Sequence, residues 1–172
     1  MNNIKIYYTH DSSFQDSYKD PRLEDLGYRV YSSDDIDDTD ESYMIDKYNL
    51  GIPDGHIDMI YEKSLVPEFH IDKLNGISFQ KGCYSGQEVV ARAKNVGEVR
   101  KMPCLLELSD SAVVSLRYEN NEITQSGNKV GTLLSVYKNK AIGHIRTSDC
   151  DFISNVYACG QEFSLSKPKW LM

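Results

Sequence analysis

No run of about 18 apolar residues occurs anywhere in the chain, so the sequence offers no membrane-spanning helix. The opening residues, Met1-Asn2-Asn3-Ile4-Lys5, lack the apolar core of a secretory signal. Cysteine is scarce: four residues, at 83, 104, 150 and 159, with no Cys-x-x-Cys pair and no zinc-ligand spacing. That usage argues against a disulfide framework and predicts free thiols in a reducing, cytoplasmic setting with no bound metal. Positive charge is also in short supply, 19 Lys and Arg against 26 Asp and Glu, for a net charge of −7. An acidic chain is a poor ligand for phosphate backbones, so nucleic acid is not an expected partner. His56 and His70 stand alone without ligand spacing and read as structural.

What is present is an ordinary globular composition: 172 residues, 40% hydrophobic and 26% charged. That is enough chain for one or two compact units with a real core. The charge is unevenly spread. Residues 1–80 carry 7 basic and 17 acidic side chains, residues 81–101 carry 5 and 2, and residues 102–172 carry 7 of each. The one positive island suits an anionic ligand. Six acids fall within Asp34–Glu41. They lack the central glycine and terminal glutamate of a calcium loop and read as a solvated linker or the first turn of a helix.

In chain order, Ile4–Tyr8 alternates as a strand does, 9–19 reads as loop, and Leu26–Tyr31 as a second strand. Tyr43, Met44, Tyr48 and Leu50 have helical spacing that ends at Gly51, a plausible C-cap, with Pro53 beyond. Ile57–Leu65 is expected to be helical and Ile77–Phe79 a short strand. A boundary is expected near 94–102. Beyond it, strands at Leu105–Leu108, Ala112–Leu116, Lys129–Tyr137 and Ala141–Arg146, separated by short polar turns, predict a small antiparallel barrel.

Between those halves lies Lys81-Gly82-Cys83-Tyr84-Ser85-Gly86-Gln87-Glu88, followed by Val89-Val90-Ala91-Arg92. The two glycines permit positive φ or close approach to a ligand. Ser85 with Glu88 has the form of a capping box, which would start a helix and leave Lys81 and Cys83 just ahead of its positive end. A thiol so placed is expected to be acidic and reactive. The alternative is a small buried cysteine in a strand-to-helix turn. Glu88 is equally readable as a capping residue or as the i,i+4 partner of Arg92.

These residues resemble the signature of the YgfZ-type folate-binding proteins, relatives of the glycine-cleavage T-protein (aminomethyltransferase). The resemblance extends to Asp20-Pro21-Arg22, Leu26-Gly27-Tyr28-Arg29, Gly51-Ile52-Pro53-Asp54-Gly55, Val66-Pro67-Glu68 and Gly127…Val130-Gly131-Thr132. It implies an α+β fold: the C-terminal part of a split folate-binding domain over residues 1–95, then a small antiparallel β-barrel over 96–172. It further implies tetrahydrofolate as cofactor and a role in assembling or maintaining iron–sulfur enzymes, which would be the partners. Cys83 and Lys81 would be the working pair, with Tyr84, Gln87, Glu88 and Arg92 at the folate. Aminomethyl transfer is the enzymic alternative, disfavoured by the Lys-Gly-Cys-Tyr form, and a non-catalytic scaffold is another. Relatives of this kind carry a further N-terminal region that completes the folate cavity. The chain is therefore expected to bind folate weakly by itself and to cover its exposed apolar strands with that region or with a second copy.

Overall fold

A computed structural model describes residues 4–34, 40–95, 97, 99–108 and 121–172. The N-terminal part opens with β1 (Lys5–Thr9), β2 (Ser17–Lys19) and β3 (Tyr28–Ser32), a three-stranded antiparallel sheet ordered β1-β3-β2. β2 lies inside a segment expected to be loop. It pairs because Gly27, at φ 68°, turns the chain sharply enough to lay β3 against both neighbours. A Cβ on Gly27 would meet the Thr9 carbonyl at 2.6 Å, so the turn requires glycine.

Helix α1 (Asp40–Leu50) follows and stops at Gly51, which takes φ 64° as a left-handed cap. The acidic run before it lies largely outside the described residues. The helix expected at 57–65 does not form. Glu62 adopts φ 60°, Ser64 Oγ accepts from the Ile60 N–H at 2.7 Å, and Asp58 turns inward, so the segment becomes a series of turns. Ile77–Phe79 is likewise irregular and not a strand. A short 3-10 turn at Val66–Phe69 starts at its proline, and α2 (Gln87–Asn95) then carries the chain to the barrel.

The barrel comprises β4 (Lys101–Leu108), β5 (Glu122–Gln125), β6 (Asn128–Tyr137), β7 (Lys140–Arg146), β8 (Val156–Ala158) and β9 (Gln161–Ser166). It closes in the order β4-β7-β6-β5-β8-β9, with β9 returning to β4 through Leu106↔Leu165. Its core is apolar: Cys104, Leu106, Ile123, Ile145, Val156 and Phe163 are each at 0% exposure. Closure at six strands leaves no free edge. The strand expected at 112–116 lies outside the described residues. β5, β8 and β9 were not expected; the last two form a hairpin turned by Cys159 at φ 52° and Gly160 at φ 77°.

Several contacts pin the barrel to the N-terminal elements. Tyr48 stacks on Tyr137 at 5.5 Å. The Trp170 indole N–H donates to the Leu50 carbonyl at 2.9 Å. Below them Lys47 Nζ sits 3.1 Å from Asp58, both side chains at 0% exposure, while the Ser135 hydroxyl of β6 donates to Asp58.

Candidate functional site

The motif residues come together on one turn and the start of α2. Cys83 is exposed, on the loop ahead of the helix. Lys81 is exposed, with its ammonium 4.6 Å from the centroid of the half-buried Tyr84 ring. This is the reach of a cation–π contact, which leaves the ammonium free to meet an anion on its other side. The helix start is built differently from the expected capping box. The Tyr84 N–H donates to Gln87 Oε1 at 3.4 Å and the Gln87 N–H to the Tyr84 carbonyl at 3.2 Å, so Gln87 performs the capping. Glu88 turns outward to Arg92 at 3.2 Å, both largely exposed, a pair of little energetic weight. Of the two glycines only Gly86 takes positive φ, at 84°.

A half-open cleft of about 320 Å³ lies beside this turn. Lys81, Tyr84, Ser85 and Gly86 form one wall, Val89 and Val90 of α2 a second, and Leu65, Val66 and Pro67 a third. Lys81 and Tyr84 are thus brought to one cavity, whereas Cys83, Gln87, Glu88 and Arg92 are outside its lining. Sequence reasoning missed the Leu65–Pro67 wall. Its signal was an apolar pair followed directly by proline, which cannot continue a helix and so presents its neighbours outward.

That wall is held by the barrel. Phe69 stacks on His144 of β7 at 4.5 Å and 20°, the Glu68 carbonyl lies 3.2 Å from His144 Nε2, and Lys101 Nζ meets the Glu68 carboxylate at 3.2 Å. Burial pushes the His144 and His70 imidazoles below their ordinary value, so both favour the neutral ring. The Asp20-Pro21-Arg22 motif proves structural. Asp20, 3% exposed, accepts from Arg22 Nη2 at 2.8 Å and Arg29 Nε at 2.9 Å, and Arg22 also donates to the Tyr43 hydroxyl. Burial works against the Asp20 charge, but these guanidiniums hold its carboxyl below the usual range.

Cys104 and Cys150 are less exposed than Cys83. Cys104 is fully buried and burial drives its thiol far up, and Cys150 is raised for the same reason. A neutral thiol is neither a good nucleophile nor a metal ligand.

Residues 104–172 match the family described as CAF17, C-terminal beta-barrel domain. The closed six-stranded barrel seen here fits that domain. The chain is also 40% identical over 104 residues to the iron-sulfur cluster assembly factor IBA57 homolog of Neurospora crassa, covering 54% of this chain and 24% of that protein. It is 30% identical over 152 residues to human iron-sulfur cluster assembly factor IBA57, covering 76% and 42%. The mouse protein matches at 29% over 165 residues, covering 79% and 44%. The chain spans less than half the length of these relatives. Barrel and relatives together support the YgfZ/CAF17 grouping read from the motif. All three relatives are named as mitochondrial proteins, which overturns the cytoplasmic setting expected from the sequence and points to the mitochondrion. Free thiols mark a reducing milieu and do not single out the cytoplasm.

Proposed function

We propose that the chain serves iron–sulfur cluster assembly, with Cys83 as the thiol that meets the cluster or its iron in transit. The observation that carries this reading is the placement of Cys83. It is exposed on a turn ahead of α2, two residues from Lys81, while Cys104 is buried in the barrel. The printed names of the relatives support the same reading. The cluster is cargo here, held briefly by the Cys83 sulfur. Tyr84 supplies a ring face and Gln87 fixes the turn, while Glu88 and Arg92 frame its outer side.

The resemblance carries a finer reading. Residues 1–95 would be part of a folate-binding domain, with tetrahydrofolate near Tyr84 and Lys81. A cleft that is half open buries little of such a ligand, so affinity is expected to be low. Iron–sulfur proteins or their assembly factors would be the partners, and a second copy a further one.

The test is complementation. In cells deprived of the corresponding relative, the chain should restore iron–sulfur enzyme activity and Cys83→Ser should not, at equal protein level. Alkylation followed by mass spectrometry should label Cys83 first and Cys104 last. Rescue by Cys83→Ser, or labelling of Cys83 last, would remove the thiol from the mechanism. Calorimetric titration with tetrahydrofolate checks the folate reading separately, and absence of heat even at high ligand concentration counts against it.

A further inference from the structure

Helix α2 is amphipathic, yet none of its residues is buried. A nine-residue helix is marginal in water unless its apolar face is packed. That face looks onto two adjoining depressions. The cleft of about 320 Å³ described above is continued past Pro67, Ile77 and Val90, which line both, by a second of about 220 Å³ floored by Phe79, Ala93 and Val99. Together they make one groove along the helix. Leu65 is 51% and Val89 55% exposed there, and Ile60 and Tyr61, just before the groove wall, are 55% and 87% exposed.

Charge along the rim is mainly positive, with Asp72 in the second depression the one acid of the lining among the described residues. Lys81 closes one end, over Tyr84, and Lys94 the other, 3.5 Å from the Phe79 ring centroid. Lys63 adjoins the wall at Ser64. Among the described residues none of these three ammonium groups has a carboxylate partner. Elsewhere on a chain with net charge −7, Lys19, Arg22, Arg92, Lys101 and Lys129 are paired with acids. Unpaired cations framing exposed apolar walls are the complement of an acidic partner surface with apolar anchors.

We propose that the groove along α2 docks an acidic segment of a partner protein that inserts two apolar side chains, one into each depression. Docking packs the open face of α2 and pins the Lys81–Gly86 turn that precedes it. The partner then lies against the exposed Cys83; this consequence rests on the thiol reading above, while the docking itself does not.

The experiment selects binders from a displayed random peptide library on the full chain and measures a synthetic copy by fluorescence anisotropy. Enriched sequences should combine acids with two separated apolar residues. The Lys81→Glu/Lys94→Glu double reversal, at exposed positions that the fold tolerates, should weaken binding roughly tenfold. Val89→Ser should weaken it as well, and bound peptide should slow hydrogen exchange in α2. Cys83→Ser should bind peptide normally even if it fails in cells, which separates failure of the docking from failure of the thiol reading. Basic or wholly polar consensus sequences, or binding that survives the double reversal, would overturn the proposal. So would self-association of the chain that the double reversal abolishes, since the groove would then belong to a second copy.

Discussion

Lys47 and Asp58 show what a single buried pair can decide. Lys47 Nζ makes no well-directed hydrogen bond although it lies 3.1 Å from an Asp58 oxygen, so its charge is matched mainly by Coulomb attraction. Asp58 is better served: the Asp54 N–H donates to it at 2.6 Å and the Ser135 hydroxyl joins its other oxygen. The pair therefore costs desolvation on the lysine side and gains position on the aspartate side. Asp58→Ala should destabilise the protein by about 3–5 kcal/mol, because it strands a buried ammonium and two donors. Lys47→Met combined with Asp58→Asn should recover most of that loss, since no charge is then buried, the Asp54 N–H keeps the amide oxygen, and the Ser135 hydroxyl can turn to accept from the amide NH2. Urea unfolding, read as a shift in midpoint at constant slope, measures both. An Asp58→Ala variant within about 1 kcal/mol of wild type would mean that water reaches Lys47.

Among the elements, the link between the cleft wall and the barrel predicts a pH dependence. His144 of β7 faces Phe69, the Glu68 carbonyl, Lys101 and His70, and burial holds its imidazole below the ordinary 6.5. The unfolded chain takes up the proton first as pH falls, so the stability due to the neutral ring is full above about pH 7 and declines below about 6.5. His144→Gln keeps a donor near the Glu68 carbonyl without titrating, and should flatten the unfolding midpoint between pH 8 and 5.5 except for the part owed to His70. An unchanged slope in that variant would place the titration elsewhere.

The elements also differ in how far the sequence announced them. β1, β3, β6 and β7 are rich in β-branched, aliphatic and aromatic residues, with turn residues bounding the last two, and α1 carries its glycine stop, so they are readable from local sequence. The 57–65 segment misleads because Asp58 is drawn inward by a lysine eleven positions earlier, a tertiary pull that no local window contains. β8 and β9 were legible in retrospect from the Cys159-Gly160 turn between alternating residues. At the site, the motif placed Lys81, Cys83 and Tyr84 correctly on a turn before a helix. The capping residue was misread because Gln87 and Glu88 are both able to fold back, and only Glu88 has Arg92 to draw it away.

At the scale of the whole molecule, the N-terminal sheet predicts association. Register places Ile6 beside Tyr31, and Tyr18 beside Arg29, so Ile4, Ile6, Tyr18 and Tyr31 share the face that begins under Tyr8. Tyr8 is covered by α1 through Tyr43 and Asp46, but Ile4, Ile6 and Tyr18 are 68%, 61% and 60% exposed. Among the described residues β1 and β2 are the outer strands of the three. Apolar side chains exposed on an outer strand favour association with another chain. Against this stands the acidic balance of residues 1–80, 7 basic to 17 acidic, which makes two such faces repel. Screening length decides between them: about 30 Å at 0.01 M salt, where repulsion reaches across an interface, and about 8 Å at 0.15 M, where it does not. Light scattering should therefore find a dimer joined through this sheet at moderate salt and dissociation at low salt, with an interface of at least about 1,000 Å². Ile6→Glu should keep the protein monomeric at both, because it sets a charge at the centre of the contact without touching the barrel. A wild-type monomer at moderate salt, or an Ile6→Glu dimer, would show that this face is not the one that associates.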